Sequence, residues 1–186
     1  MAFVTDGSGT VISYAESEDI YTIDQRVFEA NEIDFVDVPD SPGSLDNYLD
    51  DLCIKTTDRI NAKIRASARW REYMDYTGIG YEMGNIPDFN PNLILTNQQD
   101  FTDMCAFGAL YMYVLPKIAD FGNPESPEVQ KISFYEVKFN DMFTELTSMW
   151  DFYDKNADGT IETGEKMIRF QSTRRTRGRR NIVKVS

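Results

Sequence analysis

The chain contains no histidine, which removes the commonest general base and the commonest zinc ligand together. Cysteine is nearly as scarce. Cys53 and Cys105 are the two present, and both sit in helical apolar patterns, so they read as buried thiols and not as a disulfide or a metal pair. Long hydrophobic runs are missing as well. The longest, Met104 to Leu115, ends at Pro116 and falls short of the ~18 residues that span a bilayer. Met1 to Val4 carries no charged stretch leading into an apolar one, so neither a signal peptide nor a membrane anchor is expected, and the chain is expected to work inside a cell. Phosphate-binding glycine patterns are absent. Gly78-Ile79-Gly80 with Gly84 has the wrong spacing for a dinucleotide fingerprint, and no strand precedes it. Asp120-Phe121-Gly122 lacks an accompanying catalytic loop and reads as a turn. With no histidine to activate a serine or cysteine, and no spacing that singles out a carboxylate pair, no enzyme is expected.

What is present is a chain of 186 residues with 41% hydrophobic and 13% aromatic content. That suits one packed domain with appended arms, able to bury roughly two-thirds of its unfolded surface. Charge is divided unevenly. The chain has 31 acids and 19 bases, and residues 166–186 hold eight of the bases and none of the acids. Eleven bases therefore face 31 acids in residues 1–165, a net of −20. An acidic body repels nucleic acid, whereas the basic tail suits DNA or an acidic protein surface.

Three regions follow. Residues 1–43 read as an extended acidic segment, with short strands at Thr10 to Ala15 and Ile33 to Val38 and a short helix near Ile20 to Ala30. Residues 44–165 read as a mainly α core, a bundle of about three long helices near 45–73, 97–115 and 127–152. Ser44 can cap the first, whose stripe is Leu45, Leu49, Leu52, Thr56, Ile60 and Ile64. Lys55, Arg59 and Lys63 form a basic row four apart on it, either a solvated face or a contact with an acidic neighbour. Thr96 with Gln99 offers a capping box for the second, whose apolar run marks it as the most buried. Between these two, Asp75 to Asn92 is a long connection of the kind that often binds something. Ser126 and Pro127 open the third, and its stripe runs through Val129, Ile132, Tyr135, Phe139, Met142, Phe143, Leu146, Met149, Trp150 and Tyr153. Residues 166–186 are an extended basic tail.

The third helix is expected to lead straight into the segment Asp154-Lys155-Asn156-Ala157-Asp158-Gly159-Thr160-Ile161-Glu162-Thr163-Gly164-Glu165. A hard cation takes six to eight oxygens at about 2.3–2.6 Å, so a short loop must wrap around it. Asp154, Asn156 and Asp158 alternate inward, and Gly159 sits where the chain must bend sharply. Thr160 offers its carbonyl, Ile161 is the apolar residue usually packed into the core, Glu162 ligates directly or through water, and Glu165 supplies two oxygens. This is the pattern of an EF-hand calcium loop. Asp6-Gly7-Ser8-Gly9-Thr10 is not a second one, because Val4 and Ala15 would fall on its end ligand positions. A single loop points to a structural site and away from a paired switch.

Several pieces in this order resemble the small adaptor (neck, head-completion) proteins in the head-to-tail connector of tailed bacteriophages. These are the opening Val11 to Val27, with Ser13-Tyr14-Ala15; the long helix Leu45 to Tyr73; the apolar helix Met104 to Leu115; Tyr135, Phe139 and Phe143 followed by Leu146; the calcium loop; and the pairs Arg174-Arg175 and Arg179-Arg180. The opening departs from the pattern at Glu16, where a small residue is usual. The resemblance implies a non-catalytic virion protein, a homo-oligomeric, dodecameric adaptor ring that binds the portal, extends the DNA channel and carries the next neck or tail protein.

In the tail, Arg174, Arg175, Arg177, Arg179 and Arg180 precede Ile182 and Val183. The expected role is docking on a neighbouring protein, the portal: the arginines pair with carboxylates and the two apolar residues anchor the end. Holding DNA phosphates and a solvated tail without a partner are the competing readings. For the whole chain the alternative is a calcium-binding regulatory protein that acts on a partner, which needs a second loop and a Met-lined groove.

Overall fold

A computed structural model describes residues 3–30, 48–76, 88–123, 125–163 and 165–166, and among them the protein is mainly helical. The expected strand at Ile33 to Val38, the Ser44 cap, most of the Asp75 to Asn92 connection and the tail arginines with Ile182 and Val183 lie outside the described residues.

The chain opens with a small antiparallel hairpin, β1 (Val4–Thr5) and β2 (Val11–Ser13). Its turn is tied by Asp6, whose Oδ1 accepts the Ser8 and Thr10 amides at 2.9 and 2.8 Å. An Asp folding back onto amides two and four residues ahead is ordinary turn chemistry. The short helix expected near Ile20 to Ala30 begins earlier and is two, α1 (Ser17–Ile23) and α2 (Gln25–Ala30), following the hairpin. Glu16, the residue that departs from the adaptor pattern, is the N-cap of α1, and Asp19 closes the capping box by accepting the Glu16 amide at 2.9 Å. Tyr14, Ile20 and Val27 are buried. The Tyr14 amide donates to Thr57 Oγ1 at 3.0 Å and its carbonyl accepts from Thr102 Oγ1 at 2.7 Å. The N-terminal segment is thereby fastened to the helices behind it.

The expected first long helix is two. α3 (Tyr48–Ala66) and α4 (Ala68–Tyr76) meet at Ser67. Ser67 Oγ donates to the Ile64 carbonyl at 2.7 Å and accepts the Trp70 amide at 3.1 Å. It closes one helix and caps the next, the alternative to continued helix that a serine offers the backbone. α5 (Gln98–Ala109) starts after Asn97, which takes a left-handed conformation at φ 57°. Thr96 is not its cap; the Thr96 hydroxyl donates to the Asp151 carbonyl at 2.8 Å. A π-helical turn (Leu110–Val114) leads into α6 (Leu115–Ile118). Pro116 explains it: proline lacks an N–H, and its ring collides with the carbonyl four residues back. Widening the helix by one residue relieves that collision, and the Leu115 amide reaches the Leu110 carbonyl. α7 (Pro127–Met149) begins at Ser126 and Pro127 as the sequence implies.

α3, α5 and α7 meet at Gly108. A Cβ there would lie 2.6 Å from Thr56 Cγ2 and 3.1 Å from the Phe139 ring, so glycine is what lets the helices approach this closely. Thr56, Ile60, Cys105, Ala109 and Phe139 form the buried layer around it. Cys53 and Cys105 are buried and free, and contact with the Cys105 thiol together with burial pushes the Cys53 thiol well above its ordinary value. No helix among the described residues is long and apolar enough to cross a membrane.

Candidate metal centre

The hand-over from α7 to the acidic loop differs from the expected helix-into-loop arrangement. α7 stops at Met149, and Trp150 turns left-handed at φ 51°, ψ 40°. Residues 151–153 then run alongside residues 93–95. Tyr153 and Ile94 form an antiparallel bridge, the Leu95 amide donates to the Phe152 carbonyl at 3.0 Å, and the Asp154 amide donates to the Leu93 carbonyl at 2.8 Å. The loop is therefore entered from a strand-like segment. The physical reason is aromatic burial. Trp150, Phe152 and Tyr153 are all at most 3% exposed, and a continuing helix would spread these three side chains around its axis. The turn at Trp150 brings them onto one platform instead. Trp150 stacks on Tyr73 with ring centroids 5.0 Å apart, and Trp70 lies 5.5 Å from both Trp150 and Tyr153. Periodicity did not disclose this platform. The aromatic density of residues 70–76 and 150–153 was the available signal.

On this platform the loop is closed by its own carboxylates. Asp154 is 1% exposed; its Oδ1 accepts the Ala157 amide and its Oδ2 the Gly159 amide, both at 2.8 Å. Glu165 is 7% exposed and reaches back across the loop. Its Oε1 accepts the Lys155 and Asn156 amides at 3.0 and 3.1 Å, and its Oε2 accepts the Glu162 amide at 3.0 Å. Asn156 Oδ1 accepts the Asp158 amide at 3.0 Å, and Asp158 Oδ1 accepts both the amide and the hydroxyl of Thr160. Those Thr160 bonds, the hydroxyl first, hold the Asp158 carboxyl below its ordinary range. Gly159 has φ +85°, the left-handed value that favours glycine at the sharp bend. Ile161 is half-buried and Glu162 exposed.

The expected ligands thus stand in two groups. Asp154 and Glu165 are inside, each held by several N–H donors, while Asn156, Asp158, Thr160 and Glu162 are on the exposed side. Burial first, then the charges of Glu165 and Asp154, raise the Tyr73 hydroxyl far above its ordinary value. Both buried carboxylates therefore lie within electrostatic reach of one phenol. Among the described residues no group of three or more His, Cys, Asp or Glu side chains is placed to hold a metal ion. The donors nevertheless fit a hard cation. They are all oxygen, and the twelve residues carry four acids against one lysine. A buried carboxylate is costly unless a counter-charge meets it. The ion pairs Arg65–Asp88, Arg69–Glu72 and Lys131–Asp24 lie elsewhere, and Lys155 is the one loop cation, within electrostatic reach of Glu165.

No family model, no curated protein and no solved structure matches this chain.

Proposed function

We propose that the protein is a structural, non-catalytic adaptor in the head-to-tail connector of a tailed bacteriophage. In this reading it forms a ring that joins the portal to the neck or tail and continues the DNA channel, with residence in the virion. The observation that carries the reading is the order of parts along the chain: a capped N-terminal segment, α3, the apolar α5, α7 with Tyr135 and Phe139 buried, the calcium-type loop, and then the basic tail. This is the order the resemblance implies, and the helical fold is consistent with it. The net −20 of residues 1–165 suits a conduit, because a negative wall does not hold a negative duplex.

Within that role Asp154, Asn156, Asp158, Thr160, Glu162 and Glu165 hold one calcium ion. When bound, the ion supplies the counter-charge that the two buried carboxylates call for. Its task is structural: the loop, the bridge to Ile94 and the aromatic platform form one contiguous unit, so closing the loop pins the end of the core in place. A calcium-regulated partner-binding protein is less well supported. Such a switch opens a pair of helices flanking its loop, and here the entering segment is extended.

The experiment is co-sedimentation of the purified full chain with portal rings, followed by electron microscopy. A ring of adaptor density on one face of the portal is the expected result. Deleting residues 171–186 should abolish attachment and leave helical content and calcium binding intact. Absence of any portal association in the full chain, together with apolar surface exposed on calcium addition, would overturn the adaptor reading in favour of the regulator. A salt-dependent DNA affinity lost on truncation would assign the tail arginines to phosphate contacts instead.

A further inference from the structure

The basic row Lys55, Arg59 and Lys63 on α3 has no part in the metal centre. Its Arg59 and Lys63 line a cleft of about 520 Å³ together with Ala62, Tyr111, Met112 and Phe139. Tyr111 and Met112 belong to the π-helical turn, and π-helical turns recur at functional sites. The cleft is cationic at its rim and aromatic at its floor. The Lys63 ammonium lies 4.6 Å from the Phe139 ring centroid and 4.5 Å from that of Phe143, and donates to Asn140 Oδ1 at 2.7 Å. Arg59 is exposed. Glu136 is the acid on this side, acting electrostatically on both Lys63 and Tyr111. The volume falls within the roughly 300–1,000 Å³ of clefts that enclose compact ligands, so an aromatic side chain can enter.

α7 carries the complementary shape on another face. Phe134 is 55% and Val137 57% exposed, an apolar knob on a helix whose Tyr135, Phe139 and Leu146 are buried. Asp141 and Glu145, both exposed, continue the same face one and two turns beyond Val137, and the Lys138 ammonium lies over the Phe134 ring, 5.7 Å from its centroid. At about 100° per residue, Phe134 and Phe139 point roughly 140° apart around the α7 axis. The knob cannot fill the cleft of its own chain.

We propose that the cleft beside Arg59 and Lys63 receives the Phe134–Val137 face of a second copy of this chain. The argument for a second copy is complementarity: a cationic, aromatic-floored cleft on one side of the molecule, and an aromatic knob flanked by Asp141 and Glu145 on the other. Because donor and acceptor surfaces differ, the contact is head-to-tail and repeats into a ring or a filament, depending on whether the rotation closes. This deepens the adaptor reading and rests on it for the presence of many copies side by side.

Three exposed substitutions test it by sedimentation of the purified full chain across a concentration series. The wild type should associate beyond the monomer. Phe134→Ser (knob) and Arg59→Glu (cleft) should each weaken association at least ten-fold with unchanged far-ultraviolet dichroism. Mixing these two variants should give a 1:1 dimer and nothing larger, since one intact knob meets one intact cleft. Asp141→Arg should restore association to Arg59→Glu when the two changes are combined in one chain. Variants that assemble as the wild type does, or a wild type that stays monomeric at every concentration, would overturn the inference. Neither result bears on the portal experiment, which can succeed with this surface unused.

Discussion

Gly108→Ala isolates the closest approach in the helical core. On an open helix this change would stabilise by about 1 kcal/mol, because alanine is the better helix former. Here the added methyl meets Thr56 Cγ2 at 2.6 Å and the Phe139 ring at 3.1 and 3.2 Å. Neither neighbour yields readily. Thr56 is fully buried with its hydroxyl bonded to the Leu52 carbonyl at 2.7 Å, and Phe139 is 1% exposed. Overpacking of this kind costs roughly 1–3 kcal/mol. Set against the helix gain, the expected outcome is a net loss of about 0–2 kcal/mol, or up to roughly 8 °C in Tm for a chain of this size. Thr56→Ser supplies the control, since it removes Cγ2 and keeps the hydroxyl bond. In a double-mutant cycle read by urea denaturation, Gly108→Ala should cost less in the Thr56→Ser background, with a coupling of at least about 0.5 kcal/mol. A Gly108→Ala protein more stable than wild type, or additive single changes, would refute the close approach of α3, α5 and α7 at this point.

Two further outcomes test the core. Phe139→Ala, which removes the ring at that junction, should cost roughly 3–5 kcal/mol; a loss below about 1 kcal/mol in the same assay would mean the α7 stripe is not buried. Alkaline titration should divide the ten tyrosines. Burial holds the Tyr14 hydroxyl, and burial with the bond to Asp24 holds that of Tyr135, above the ordinary phenol value of 10.0. The folded state thus keeps protons that the unfolded state releases, so their contribution is complete below pH 10 and is lost as pH rises beyond it. Phenolate absorbance should show Tyr14 and Tyr135 ionising only as helical dichroism disappears. One reversible step for all ten with the helices intact would contradict this.

Legibility followed the scale of the signal. α7 was readable because Pro127 marks its start and an apolar stripe runs its length, and α5 because its run is apolar all round. The bend and closure of the loop were readable because a glycine at φ +85° and a glutamate reaching back to the loop amides are local requirements on residue type. What escaped were places where a single side chain diverts the backbone without breaking the periodicity. Ser67 interrupts the first long helix, yet buried apolar residues flank it on both sides, Ile60 and Ile64 before it and Trp70 after it. Trp150 ends α7 although it fits the stripe, because the aromatic platform that rewards the turn is assembled from Trp70, Tyr73 and Phe89, distant in sequence. The Pro116 π-helical turn was foreshadowed by the proline, but the direction of the accommodation depends on the packing around it. Asn97 takes the left-handed start of α5, and its side chain donates to Asp151 Oδ1 at 3.1 Å, a partner no local window contains.

The hand-over at Trp150 gives the proposed calcium binding an optical readout. The chain has two tryptophans, and Trp70 and Trp150 both lie in the platform beneath the loop, 5.5 Å apart. Their conformation is costly in itself. A bulky residue in the left-handed region is strained by roughly 1–2 kcal/mol, and the Trp150 indole N–H is buried without a hydrogen-bond partner. Such costs persist where the surroundings over-determine the backbone. Here the surroundings are the bridge to Ile94 and the loop closed by Asp154 and Glu165. An ion that counters those carboxylates secures the loop, and through the Asp154 amide bond to Leu93 it secures the bridge. Calcium titration should therefore shift tryptophan emission in step with the calorimetric isotherm. At free calcium one hundred times the Kd, linkage sets the gain at about 2.7 kcal/mol, or about 5–11 °C in Tm. Glu165→Gln keeps the size of the side chain, removes its charge and weakens bidentate ligation, so both signals should move to much higher calcium or vanish while the helical dichroism of the metal-free protein is retained. Equal heats in wild type and Glu165→Gln would place any bound calcium outside this loop. Calcium heat that depends on Glu165 but leaves the emission unchanged would break the proposed connection between the loop and the aromatic platform.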